Sequence, residues 1–204
     1  TNVTALAASS LADLGTLATA IGNNEFINDS GLTTIAVSDT TIDATTLATR
    51  IDSYDSINGG ATTDMTLPSG ATINVDANEV DHMLADESAG RLTIGDQAIT
   101  VTNAITVDQA NLLTATTSGV VTATIATTET VTELATLVEH GSNNVDAALT
   151  IVIRAADATA CTAEQLNTIN DATSVVVNLT NVTALAASSL ADLGTLATAI
   201  GNNE

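Results

Sequence analysis

The chain has 204 residues, of which 45% are hydrophobic, and its mean hydropathy of +0.31 is too high for a disordered tail. Its 24 Asp and Glu face only three cations, Arg50, Arg91 and Arg154, and with a net charge of −21 neither a nucleic-acid partner nor an anionic lipid surface is expected. No stretch reaches the roughly 20 apolar residues that span a bilayer, and a lone Cys161 excludes an internal disulfide framework.

Aromatic residues are 1% of the chain, with one Phe (Phe26), one Tyr (Tyr54) and no Trp. Ala, Val, Ile, Leu and Thr must therefore build the core, which suits thin regular layers better than a thick irregular globule. The first residues lack a cationic stretch, so they are not read as a signal peptide.

The first 25 residues, TNVTALAASSLADLGTLATAIGNNE, recur letter for letter from Thr180 to Glu204, an offset of 179 residues. Within the copy, Ser10 is the expected N-cap of a helix whose apolar stripe is Leu11, Leu14, Leu17 and Ile21, with Gly22 as its stop. Leu32 to Val37 then reads as a strand, and Asp43 as a cap followed by apolar residues at Leu47 and Ile51. DMTLPSGATINV, from Asp64, adds a hairpin or an extra strand, with a turn at Pro68 and Gly70, and ends in a strand from Ala71 to Val75. Asp76 caps the next helix, with Val80 and Leu84 facing inward.

RLTIGDQAITV, from Arg91, again reads as a hairpin or an extra strand, and Ala104 to Val107 as the strand before a cap at Asp108 with Leu112 buried. A strand from Val120 to Ala126 precedes the cap Thr130, with Leu134 and Val138 inward. Leu149 to Ile153 precedes Thr162, with Leu166 and Ile169 inward, and Ser174 to Leu179 leads to Ser189. Thr130 with Glu133, and Thr162 with Gln165, have capping-box spacing, and Ser10 with Asp13 is a weaker version.

The caps at 10, 43, 76, 108, 130, 162 and 189 are spaced 33, 33, 32, 22, 32 and 27 residues, which total the offset of the duplicate. Such spacings are those of repeat-array units. Strands alternating with helices call for parallel pairing through right-handed crossovers, and strands apolar almost throughout suit burial on both faces. The expected architecture is an α/β repeat solenoid of strand–short-helix coils with a parallel β-sheet on one side. Residues 1–179 form one long repeat of about six coils, and residues 180–204 begin the next. An all-β sandwich array is the alternative, disfavoured by the capped segments.

Few residues point to chemistry. Cys161 holds the slot before a cap that Ile42, Val75 and Val107 hold elsewhere, and reads as a small buried residue. Its only available bases are His82 and His140, the latter at a helix end before Gly141. No catalytic residue, cofactor-binding residue or metal ligand is assigned, and no enzyme activity is expected.

Calcium is the one ion with plentiful hard ligands here: Asn74, Asp76, Asn78, Glu79 and Asp81 lie close together. Glu79 and Ala85, however, stand where an EF-hand needs Gly and Glu, and Gly59 to Asp64 lacks the third Gly of a calcium repeat. T-x-T spacing at Thr122 to Thr127 and at Thr100 with Thr102 resembles ice-binding faces but does not recur in every coil. The sequons at Asn2, Asn28, Asn178 and Asn181 are weak, since turn or cap roles explain Asn178 as well.

The segments ITVDQANLLTATTSGVVTATI (Ile105 to Ile125) and TAEQLNTI (Thr162 to Ile169) resemble the Thr/Ala/Asp-rich repeats of giant bacterial cell-surface proteins, notably those of cyanobacteria. The resemblance is one of composition and period and carries no site motif. It implies a secreted, repetitive, cell-surface role, with neighbouring copies of the repeat as partners. The expected function is a structural segment of an extracellular fibre, stalk or adhesin shaft. A carbohydrate or cell-surface binding module is the alternative, against which the scarcity of aromatic residues weighs, and a solenoid enzyme is a more distant one.

Overall fold

The structure, a computed structural model, describes residues 5–23, 25, 32–58, 62–138 and 147–202. The chain divides into two compact units, Thr1–Thr100 and Val101–Glu204.

The first unit opens with strand β1 (Ala5–Ser9) and helix α1 (Leu11–Gly22). Strands β2 (Thr34–Val37) and β3 (Thr41–Asp43) follow, then helix α2 (Ala44–Ile57). Next come β4 (Asp64–Thr66), β5 (Thr72–Asp76), a 3-10 turn over Ala77–Glu79 and helix α3 (Val80–Ser88). Strand β6 (Leu92–Thr93) and the start of β7 (Ala98–Ile105) complete the unit.

Strands β1, β2, β4 and β6 form one parallel sheet in that order. Strands β3 and β5 pair in parallel in another, and the Ala98 N–H donates to the Ala71 carbonyl at 2.9 Å. Partners such as Thr34 and Asp64, or Thr41 and Thr72, lie about 30 residues apart, the length of one repeat-array unit.

The fold is thus α/β with parallel strands, as the alternation of strands and helices implies, but the strands occupy two sheets where one was expected. In the first unit a short turn separates β2 from β3, β4 from β5 and β6 from β7. In the coil that contains β4, the turn is built by Pro68, Ser69 and Gly70. Gly70 takes a φ of +69°, which glycine adopts without steric cost, and the Asp96 carboxylate accepts from the Ser69 hydroxyl and the Gly70 N–H. The segments from Asp64 and Arg91 therefore add an extra strand each and no hairpin. Burial on both strand faces is also corrected: Ile73 and Val75 point inward while Thr72 and Asn74 are only half-buried, because one face of each strand meets the core.

In the second unit, β7 leads into helix α4 (Val107–Thr116), β8 (Val121–Ile125) and the single turn of α5 (Val131–Leu134). Then come β9 (Ala148–Thr150), a 3-10 turn at Ala155–Asp157, α6 (Ala163–Asp171) and α7 (Leu190–Asn202). Strands β7, β8 and β9 are neighbours in that order, and β8 pairs in parallel with β9 from Thr122 and Ala148. The strand expected over Ser174 to Leu179 is reduced to one parallel bridge, Val152 with Asn178, and Val176 is exposed. Strand β1 was not anticipated. Its sequence, ALAAS, carries little strand preference, and it is a strand through its pairing with β2.

The caps sit where short-range chemistry places them, with two departures: Asp76 caps the 3-10 turn that leads into α3, where Met83 is buried and Leu84 only half-buried, and Asp108 is no cap. Ser10, Asp43, Asp76, Thr130, Thr162 and Ser189 each accept a first-turn N–H through the side chain. Asp108 does not. The cap is Thr106, which forms a capping box with Gln109, so Asp108 is the second residue of the helix. The inward stripe shifts accordingly to Val107, Ala110 and Leu113, and Leu112 is 54% exposed. The slot compared with Cys161 is then held by Ile105 and not by Val107. Val138 is likewise exposed, with Leu137 buried in its place, because α5 ends after one turn.

Thr106→Ala should lower stability by about 1 kcal/mol, the usual worth of an N-cap, and Asp108→Ala by at most half of that, from the helix dipole alone. Urea midpoints of the two variants check the reassigned cap.

Candidate functional site

Candidate chemistry in this chain gathers at the contacts between successive coils. The first-turn N–H groups of a helix have no acceptor within the helix. Here the next coil supplies one. The Leu11 N–H donates to Asp39 Oδ2 at 2.6 Å, Val131 to Asp157 Oδ2 at 2.8 Å and Ala163 to Ser188 Oγ at 2.9 Å. A carboxylate at this place also complements the positive end of the helix dipole.

All three arginines make contacts of this kind. Arg50, on α2, sends its Nε–H to the Leu11 carbonyl of α1 at 3.0 Å. Its guanidinium lies in the groove left by Gly15: a Cβ there would stand 2.5 Å from the guanidinium carbon. Tyr54, fully buried one turn further along α2, donates its hydroxyl to the Leu14 carbonyl at 3.0 Å. Burial pushes that phenol up to about 12.

Arg91 joins Asp55 at 3.0 Å and Asp52 at 3.3 Å, both on α2, to the buried Asp86 of α3. Arg154 grips Asp157 with two bonds, Nε to Oδ2 at 2.8 Å and Nη2 to Oδ1 at 3.2 Å, and reaches the Thr128 carbonyl at 3.0 Å. The Arg154 guanidinium, helped by the Val131 N–H, holds the Asp157 carboxyl below the usual carboxylate range.

Among the described residues, Cys161 and His82 are placed as follows. Cys161 is fully buried, and its thiol donates to the Asp157 carbonyl at 3.2 Å. Burial pushes the thiol up, which disfavours the thiolate a nucleophile needs. His82 stands on the exposed face of α3, 3.7 Å from Glu79 and 3.9 Å from Asp86. His140 and Gly141 lie outside the described residues, as do residues 59–61 of the Gly59 to Asp64 stretch.

Three of the five candidate calcium ligands have other partners. Asp76 accepts from the Asn78 N–H and side-chain amide, at 3.0 and 2.7 Å, and Glu79 faces His82. Among the described residues no group of three or more His, Cys, Asp or Glu is placed to hold a metal ion. Thr122 and Thr124 lie on the exposed face of β8, with Thr124 in register with Thr150. Asn2 and Asn28 are outside the described residues. Asn178 Oδ1 accepts from the Thr180 N–H and hydroxyl in a side-chain turn, and the Asn181 side-chain amide donates to the Ile153 carbonyl at 2.7 Å. No helix among the described residues is long and apolar enough to cross a membrane.

The contacts missed in the sequence are Asp39, Tyr54 and Gly15. Asp39 stands four residues before the cap Asp43, and Asp157 five before the cap Thr162, so an Asp shortly before a cap is the signal that would have found the first; nothing local marks the other two. Fold and contacts together define the class: an α/β protein of parallel sheets, three of whose helices have a first-turn N–H capped by a later segment. No family model, curated protein or solved structure gives a match to the chain.

Two measurements test these contacts. Because its folded-state pKa is depressed, ionised Asp157 stabilises the fold above the ordinary carboxylate range, and that stability is lost as pH falls through the folded value. Asp157→Asn should thus cost about 2 kcal/mol at pH 7, the worth of a charge-assisted bond, and match the parent protein in strong acid. Urea midpoints from pH 7 to pH 2 read this. Gly194, which occupies in α7 the place of Gly15 in α1, has nothing within 4 Å of an added Cβ. Gly194→Ala should stabilise by about 1 kcal/mol through helix propensity, whereas Gly15→Ala displaces Arg50 and should destabilise by about as much. Denaturant midpoints of opposite sign are the expected outcome.

Proposed function

We propose that the chain is a structural segment of a very long repeat protein, its coils stacked as a solenoid in an extracellular fibre, stalk or adhesin shaft. The observation that carries this reading is the letter-perfect duplicate at an offset of 179 residues, both copies of which form a capped helix of the same residues. Parallel register at about one coil length, and helix starts capped by the following coil, support it, since a unit that needs its neighbour propagates well in a line.

Within this reading the work is mechanical. Strand hydrogen bonds run along the long axis, and pairing between coils leaves sheet edges only at the ends. The acidic surface keeps neighbouring fibres apart or lets divalent cations bridge them. A cell-surface location follows from the same reading and from the resemblance to giant surface proteins. The scarcity of aromatic residues favours this role over a carbohydrate-binding module.

Electron micrographs and diffraction of the native assembly test it. Stacked coils should give a strand spacing near 4.8 Å along the fibre axis, and about 30 Å for the six coils of one long repeat. A much longer axial repeat, or a strand spacing perpendicular to the axis, would mean strung globular domains.

A further inference from the structure

Residues 5–23 and 184–202 are identical in sequence but not in cover. Leu11 is 6% exposed and its counterpart Leu190 is 88% exposed; Leu14 is 1% exposed and Leu193 is 37% exposed. The opposite holds on the other side of the helix. Leu196 and Ala199 are buried, whereas their counterparts Leu17 and Ala20 are only half-buried. One helix sequence thus carries two apolar faces, and each copy uses a different one. Helix α1 is covered by the coil after it, through α2; helix α7 packs on the coil before it, through α6, whose Asn167 side chain donates to the Asp192 carbonyl at 3.1 Å.

What covers the first face of α1 is fully specified. Asp39 caps the Leu11 N–H, Arg50 enters the Gly15 groove to reach the Leu11 carbonyl, and Tyr54 reaches the Leu14 carbonyl. In α7 the same side chains and carbonyls are present, the groove at Gly194 is empty, and Leu190 stands in solvent. We propose that the Leu190–Gly194 face of α7 is the seat for a second copy of the coil Leu32–Ile57, carried by a following repeat of the same chain. That coil places its counterparts of Asp39, Arg50 and Tyr54 on the Leu190 N–H, the Leu190 carbonyl and the Leu193 carbonyl. The proposal rests on the repeat-array reading above and names which surface joins one repeat to the next. Gly194 is the specificity element, since any side chain there occupies the volume the guanidinium needs.

The test uses the full 204-residue chain and the same chain extended directly after Glu204 by a copy of residues 26–100, so that α7 stands where α1 stands. Leu190→Cys is introduced into both, and the rate of maleimide labelling at position 190 is measured; Cys161 is buried and gives the background. Labelling at least tenfold slower in the extended chain is expected. Gly194→Leu should restore the fast rate in the extended chain and leave the unextended chain's rate unchanged.

Equal rates in the two chains, or a slowed rate insensitive to Gly194→Leu, would overturn the seat. Labelling of the unextended chain that slows as protein concentration rises would assign the face to a second molecule and overturn the occupant named here. A slow rate reversed by Gly194→Leu, found alongside native material without the expected axial repeat, leaves the seat standing and removes only the fibre reading.

Discussion

A helix begins with N–H groups that its own carbonyls cannot reach, and short helices such as these gain little stability from propensity alone. The dependence of α1, α5 and α6 on an acceptor carried by the segment that follows is the constraint on which much of the structure turns. Asp39, Asp157 and Ser188 each lie one coil beyond the helix whose first amide they satisfy. Side chains repeat the arrangement: buried Tyr54 and half-buried Arg50 of α2 donate to the carbonyls of α1. Taken alone, α1 would leave an apolar face and a first-turn N–H unsatisfied, so it gains stability together with the segment that packs on it.

The extreme charge imbalance fits this plan. With only three cations, each arginine has a place in the scaffold, and among the described residues carboxylates cap helices (Asp43, Asp76), hold a turn (Asp96) or pair with an arginine (Asp86, Asp157). Asp157 shows how tightly one carboxylate can be held: it accepts from Arg154 twice and from the Val131 N–H, and its neighbour Cys161 points its thiol at the same residue's carbonyl. Such a group contributes order and not reactivity.

Much of the local structure was legible in the sequence, because its causes are local. Ser10, Asp43, Asp76, Thr130, Thr162 and Ser189 cap through bonds to residues two or three positions on, and the inward positions of Leu14, Leu47, Ile51, Leu134, Leu166 and Ile169 follow from helical spacing. Where two capping residues stood close together the spacing argument faltered. Thr106 and Asp108 are both good caps, and only the reach of Gln109 back to the Thr106 N–H decides between them.

The sequence by itself determined the helix starts and most of the inward helix positions, since these depend on residues within a turn or two of each other. Tertiary structure decided the rest. Two sheets form in place of one because polar turns such as the one at Gly70 turn the chain between strands, and each strand finds its partner about 30 residues away. The strand β1 exists because β2 lies beside it. Most plainly, identical residues give a buried Leu11 and an exposed Leu190, because burial belongs to whatever packs against a helix and not to the helix itself.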